Sequence, residues 1–183
     1  MRIVAGTWRG RTLTAPPGDA TRPTADRVRQ ALFDMLLHAP WGGREAVEEA
    51  EVLDVFAGTG ALGLEALSRG AGHATFIESS PAALAALRAN VRACRAETRC
   101  DVLAIDVVAG RLTSGPPAGL VFLDPPYGRA LVPLALERLR AAGRIASGAL
   151  VVAETGPADD PPHPAPLASR SHGKARLTIW REG

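Results

Sequence analysis

From Glu51 onward the chain repeats one pattern, a short unbroken apolar run followed by a longer segment with helical periodicity. The runs are 51–56 (EVLDVF), 74–78 (ATFIE), 102–105 (VLAI), 120–123 (LVFL) and 149–153 (ALVVA). The helical segments are 61–69 (ALGLEALSR), 81–93 (PAALAALRANVRA) and 131–142 (LVPLALERLRAA). An apolar run without alternation suits a strand covered on both faces. Strands alternating with helices fold into a parallel, doubly wound sheet. This restricts the chain to an α/β fold whose ligands bind beyond the carboxyl ends of the strands. Pro81 suits the first turn of its helix, with Ser80 as N-cap. Residues 174–181 (KARLTIWR) alternate and are expected to form a closing strand, and an antiparallel direction is compatible with that pattern. The Pro-rich stretch 156–166 is expected to be a loop, with no role assigned to it or to residues 40–50.

The first fifty residues read differently. Residues 2–14 (RIVAGTWRGRTLT) alternate around Gly6 and Gly10, as in a short β-hairpin. Pro16, Pro17 and Gly18 break the chain, and Arg22 before Pro23 should be extended. Thr24 is the expected N-cap of a helix with Asp26 near its positive end. That helix puts Val28, Leu32, Met35 and Leu36 on one face and ends near Pro40 and Gly42. A chain of 183 residues suits one domain with a small appendage. The expected division is an N-terminal extension at 1–45 and a ligand-binding domain at 46–183. Hydrophobic residues at 46% and charged residues at 22% argue against a disordered chain.

Net charge is only +2, too low for a histone-like binder, but it is unevenly spread. Residues 1–30 hold six arginines against Asp19 and Asp26, a local +4. Of these, Arg2, Arg9, Arg11, Arg22 and Arg27 are candidates for contact with nucleic-acid phosphates, which positions a partner without reading its sequence. Ordinary solvated surface is the other reading. Cys94 and Cys100 form no ligand spacing, and His38, His73, His163 and His172 form no ligand pattern, so no metal site is expected. The chain begins MRIVAG without an apolar leader and has no run of 18 apolar residues. A cytoplasmic protein with free thiols and no membrane span is expected.

Four constellations carry chemistry. The first, Asp54-Val55-Phe56-Ala57-Gly58-Thr59-Gly60, lies where the first strand turns into a helix. Gly58 and Gly60 permit φ > 0 and close approach of a ligand. With Gly63 they satisfy G-x-G-x-x-G, which a nicotinamide or flavin site or a tight turn without ligand would also satisfy. Asp54 points elsewhere: a carboxylate there repels a pyrophosphate and accepts from an ammonium. The second is Glu78, with Ser79, at the end of the second strand, placed for two ribose hydroxyls or for solvent. The third is Asp106, with Val107, past the third strand, placed for the exocyclic amine of an adenine or for a helix cap. Three acids at successive strand ends suit one ligand with ammonium, ribose and adenine, namely S-adenosylmethionine. The fourth is Asp124-Pro125-Pro126-Tyr127. Two prolines remove two N–H donors, so Asp124 and the Pro125 carbonyl can accept both hydrogens of an amine on a planar ring. The Tyr127 ring, without need of its hydroxyl, can stack on that base.

LDVFAGTG with FLDPPYG resembles a class I, Rossmann-like methyltransferase acting on an exocyclic amine. RIVAGTWRGRTL, TRPTADRVRQALFDML and LDVFAGTGALGLEALSRGA together are similar to the bacterial 16S ribosomal RNA guanine-N2 methyltransferases of the RsmD family, over nearly the whole chain. The resemblance implies a mostly parallel seven-stranded sheet with its last strand antiparallel. It implies methylation of N2 of guanine 966 in 16S rRNA, within a partly assembled small ribosomal subunit, by a monomer. It also implies Asp54 and Phe56 to Gly60 at the methionine end of S-adenosylmethionine, Glu78 and Ser79 at ribose, Asp106 and Val107 at adenine, and Asp124 to Tyr127 at the target amine. The alternatives are an N6-adenine DNA methyltransferase, a non-catalytic RNA-binding assembly factor and a nicotinamide oxidoreductase. A separate target-recognition region has little room in this length. Intact Asp124 to Tyr127 opposes the second, and no group suited to hydride chemistry favours the third.

Overall fold

The computed structural model describes residues 1–16, 23–156, 159–173 and 175–183, apart from the side chains of 23–25. Arg22, Pro17, Gly18 and Lys174 lie outside the described residues. Seven strands form one sheet: β1 (Glu51–Val55), β2 (His73–Glu78), β3 (Cys100–Ala104), β4 (Ala118–Leu123), β5 (Ile145–Thr155), β6 (Ala168–His172) and β7 (Ala175–Arg181). Their order is β3-β2-β1-β4-β5-β7-β6. β1 to β5 pair in parallel, and β7 runs antiparallel between β5 and β6. The helices are α1 (Pro23–His38), α2 (Ala61–Ser68), α3 (Pro81–Cys94) and α4 (Leu131–Ala141). The expected α/β sheet, with its closing strand antiparallel, is the one observed.

The unbroken apolar runs have the cause read from them. Along β1, β2, β4 and β5, successive residues point to opposite faces, and both faces are dry. Val52, Phe76, Leu120, Phe122, Leu150 and Val152 join Leu32, Phe33 and Leu36 of α1, Leu64 and Leu67 of α2 and Leu87 and Val91 of α3. Leu53, Val55, Ile77, Val121, Leu123 and Val151 pack instead on Val132, Leu136 and Leu139 of α4. Ser80 caps α3 by accepting from the Ala83 N–H, with Pro81 in its first turn, as expected.

The structure differs from the sequence reading at four points. Residues 2–14 form no pair of strands but one antiparallel bridge, Arg2–Thr12, closed by Ile3 N–H to the Arg11 carbonyl at 2.9 Å. α1 begins at Pro23, so Thr24 lies inside its first turn and not at the position before it. β6 has no counterpart among the apolar runs because it is an edge strand of mostly exposed residues (ASRSH). β5 also starts earlier than its apolar run, because a step of two along β4 (118 to 120) is matched by a step of five along β5 (145 to 150) at a bulge. Residues 1–45 share their core with the sheet: Ile3, Leu13, Leu32, Phe33 and Leu36 belong to the cluster that covers its first face. No helix among the described residues is long and apolar enough to cross a membrane.

The chain leaves β1 toward β2 and β3, then returns to lay β4 on the other side of β1. The order therefore reverses between β1 and β4, and the crevice for a ligand opens at their carboxyl ends.

Candidate active site

A cavity of about 500 Å³ opens at that reversal. Its floor is Asp54 of β1, Leu123 of β4 with Asp124 just after it, and Val152 and Glu154 of β5. Phe56 to Thr59 form one wall, Met1 and α1 (Val28, Arg29, Leu32) another, and His172, Ala175 and Leu177 close the far end. Asp54, Phe56, Ala57, Gly58, Thr59, Asp124 and Tyr127 are thus brought together as expected. Glu78 ends β2 beside this cavity and Ser79 follows it, and Asp106 and Val107 come after β3. None of those four lines it, nor do Gly60, Pro125 and Pro126.

Asp54 is 1% exposed. It faces Phe76 and Phe122 across the register of β1. One carboxylate oxygen accepts from the Gly63 N–H at 2.8 Å, in the first turn of α2. Burial pushes its carboxyl up to about 8, against the Gly63 hydrogen bond, and the charges of Asp124 and Glu78 push the same way. Phe56 leaves β1 with φ 61 and Gly58 follows at φ 55, so the strand turns sharply through left-handed backbone. A Cβ on Gly58 would meet nothing nearer than the Phe56 carbonyl oxygen at 3.9 Å, which leaves room for a ligand. Gly60 is different. It has φ 76, but a Cβ there would stand 2.3 Å from Leu87 Cδ1 and 3.3 Å from Phe76 Cε1. Core packing requires that glycine, and it does not line the cavity.

Glu78 ties β2 to this turn. Its Oε2 accepts from the Gly58 N–H at 2.8 Å, and its Oε1 accepts from Ser79 and Ser80 N–H groups at 2.7 Å each. Asp106 Oδ1 accepts from Val108 and Ala109 N–H at 2.8 and 3.0 Å. It closes a turn, with no helix there to cap, and keeps its other oxygen without a partner among the described residues.

Asp124 follows β4 at the mouth of the cleft. Desolvation among the surrounding protein atoms, and then the charge of Glu154, raise its carboxyl above the usual range. It keeps access to solvent. Tyr127 is 44% exposed, open to an incoming ring. Its hydroxyl, given no role from the sequence, donates to Glu154. Burial and that carboxylate raise the phenol above its ordinary value.

Glu154 is the residue that sequence reasoning missed. The signal was present: it follows the apolar run ALVVA directly, as Glu78 ends ATFIE. Asn90 left no such signal. It is 1% exposed on α3, and its amide donates to the Thr14 and Thr59 carbonyls at 2.9 Å while accepting from Thr14 N–H at 2.7 Å. It clamps the N-terminal segment to the glycine turn.

Of the arginine candidates, Arg2, Arg9, Arg11 and Arg27 are exposed. Arg11 donates to the Ala93 carbonyl at 2.6 Å and Arg2 stands 3.8 Å from Asp26. Arg29, counted in the same basic stretch, is 4% exposed and pairs with Asp26 at 2.9 Å and Glu65 at 3.4 Å.

A family model described as conserved hypothetical protein 95 matches residues 1–181. Ribosomal RNA small subunit methyltransferase D of Escherichia coli strain K12 is 40% identical over 155 residues, covering 85% of this chain and 74% of that protein. The chain belongs to the RsmD family of methyltransferases. Its Haemophilus influenzae relative of the same name is 35% identical over 159 residues, 85% of this chain and 78% of that one. A solved structure of the Escherichia coli protein yhhF, described as a methyltransferase, superposes with TM-score 0.82 at 35% identity, covering 100% of this chain and 97% of that one. That superposition spans the whole chain, the N-terminal segment and the β6–β7 pair included.

Proposed function

We propose that this chain transfers a methyl group from S-adenosylmethionine to the exocyclic N2 of a guanine in 16S rRNA. It acts in the cytoplasm as a monomer, on a partly assembled small ribosomal subunit. The observation that carries this reading is the charge of the cleft. Asp54, Asp124 and Glu154 line it, and its one lining guanidinium, among the described residues, is Arg29, already held by Asp26 and Glu65. Such a cleft suits a ligand bearing an ammonium and a sulfonium and repels the pyrophosphate of a dinucleotide. The names of the relatives support rRNA as the methyl acceptor.

The residues fit this cofactor. Asp54 would accept from the ammonium, and Glu78 would take a ribose hydroxyl with the one acceptor site that three amides leave on its carboxylate. The unpartnered oxygen of Asp106 would take the adenine amine, and open space at Gly58 admits the chain between. Bound there, S-adenosylmethionine supplies an electrophilic methyl on its sulfonium. The protein's task is then to aim a poor nucleophile. Asp124 and the Pro125 carbonyl accept the two N–H groups of the guanine amine and turn its lone pair toward the methyl carbon. On taking the methyl the amine would give up one proton, for which the Asp124 carboxylate, its proton affinity raised by burial and by Glu154, would provide an acceptor. Tyr127 stacks on the base, held by Glu154. The base must leave its stack to reach this recess, and holding the reacting atoms in line supplies most of the acceleration.

The test is to incubate the protein with isotopically labelled S-adenosylmethionine and small subunits from a strain lacking this enzyme. The labelled nucleotide is then mapped by nuclease digestion and mass spectrometry. N2-methylguanosine at one 16S rRNA position is expected. Methylation of adenine in duplex DNA with none in rRNA would overturn the reading, as would cofactor binding without any transfer.

A further inference from the structure

We propose that Glu154 reads the N1–H of the target guanine and so selects guanine over bases that carry an acceptor at N1. This rests on the proposed function and names a specificity-determining residue within it. Leu123 and Ala153 are partners in the register of parallel strands β4 and β5. Asp124 follows β4 and Glu154 continues β5, each one residue past that pair, and the Glu154 charge acts on Asp124. Both side chains line the same cavity. Two carboxylates set side by side repel each other, and this arrangement suits a ligand that brings a row of donors to both. A guanine does so: its N1–H lies next to its N2 amine on one edge. When Asp124 takes the amine, the adjacent N1–H falls toward the neighbouring strand. Only one oxygen of Glu154 is engaged, by the Tyr127 hydroxyl, and Oε2 has no partner among the described residues. The same hydroxyl holds the glutamate in place. A ring with a bare N1 lone pair would set acceptor against acceptor here, whereas a site built to hydrogen-bond a donor strongly rejects an analogue lacking it.

The experiment uses small subunits reconstituted with rRNA that carries either guanine or 2-aminopurine at the nucleotide the enzyme methylates. Both bases have the N2 amine, and only guanine has N1–H. Single-turnover methyl transfer by the wild-type protein should favour guanine by about 10²-fold. Glu154→Gln, whose amide can donate to a bare N1, should bring that preference to within about fivefold. Tyr127→Phe keeps the carboxylate and removes only its tether, so it should keep the preference even if both rates fall. A wild-type preference near unity would overturn the inference. So would a Glu154→Gln protein slower on both bases with the preference intact, because Glu154 would then act only through Tyr127. Failure of the wild-type protein to methylate either particle would overturn the functional reading itself, a separate result.

Discussion

At Asp54 an acid 1% exposed in a strand is held by one backbone N–H, and burial pushes it up to about 8. The unfolded carboxyl titrates near 3.9. Between those values the folded protein binds the extra proton, so the contribution is fully present below about 4. It is lost as pH rises toward 8, by at most about 1.4 kcal/mol per pH unit. Asp54→Asn keeps an acceptor for Gly63 and removes the titration. Thermal denaturation without cofactor should show the variant more stable than wild type at pH 8.5 and flatter between pH 5 and 8. A variant less stable at pH 8.5 would refute the electrostatic account. The ammonium of the cofactor needs the ionised form, so wild-type affinity should strengthen from pH 6 to 8, which calorimetry would detect with proton release. Asp124 answers to a different measurement. Asp124→Ala should slow single-turnover methyl transfer by 10²-fold or more, about 3 kcal/mol of barrier. Asp124→Asn should also be poor, because half its amide donates where the substrate amine donates. Cofactor affinity should stay within a few-fold in both. Near wild-type transfer by Asp124→Ala would mean that another group orients the amine.

The turn from β1 into α2 shows how one element serves packing and ligand at once. Gly58 faces open space, whereas Gly60 and Gly63 are shaped by the ring of Phe76 behind them. Gly63 lies within a helix, where alanine ordinarily improves stability by up to about 1 kcal/mol. Here its Cβ would stand 2.4 Å from Phe76 Cε1 and 2.9 Å from Cζ, and Phe76 is fully buried. Gly63→Ala should therefore destabilise by roughly 1–3 kcal/mol, lowering the melting temperature by several degrees. Phe76→Leu in the same chain should restore part of that loss. A higher melting temperature for Gly63→Ala alone would show that the ring moves aside freely.

Across the whole molecule, residues 1–16 and α1 cover the first face of the sheet and the wall of the cleft. Fully buried Glu65 on α2 fastens them. It accepts from Val4 and Ala5 N–H at 2.8 and 3.0 Å and pairs with Arg29 and Arg69. The segment that brings basic charge to the surface is thus locked to the body that binds the cofactor. Arg2, Arg9 and Arg27 remain exposed on it. If each meets one phosphate, changing all three to Ala should reduce the slope of log affinity against log salt by about 2 to 3 on a folded RNA. Calorimetric affinity for S-adenosylmethionine should stay unchanged. An unaltered salt slope would place the RNA on another face.

The parallel sheet and the glycine turn were legible because their causes are local and periodic. Strands dry on both faces must be apolar throughout, as EVLDV and AGLVFL are. Acids at strand ends must sit at the carboxyl edge, which located Asp54, Glu78, Asp106 and Asp124. What the sequence could not reveal depends on partners distant along the chain. Arg29 looks like its exposed neighbours in a basic stretch, and Glu65, 36 residues away, turns it into a buried ion pair. Gly60 looks like a ligand glycine, and the rings and methyls of Phe76 and Leu87 make it a packing one. β6 carries no apolar run because an edge strand needs only one neighbour, which β7 supplies. The pairing of Tyr127 with Glu154 joins residues 27 apart. It exists only because the sheet sets β4 beside β5, whose parallel register brings two carboxylates to one cleft.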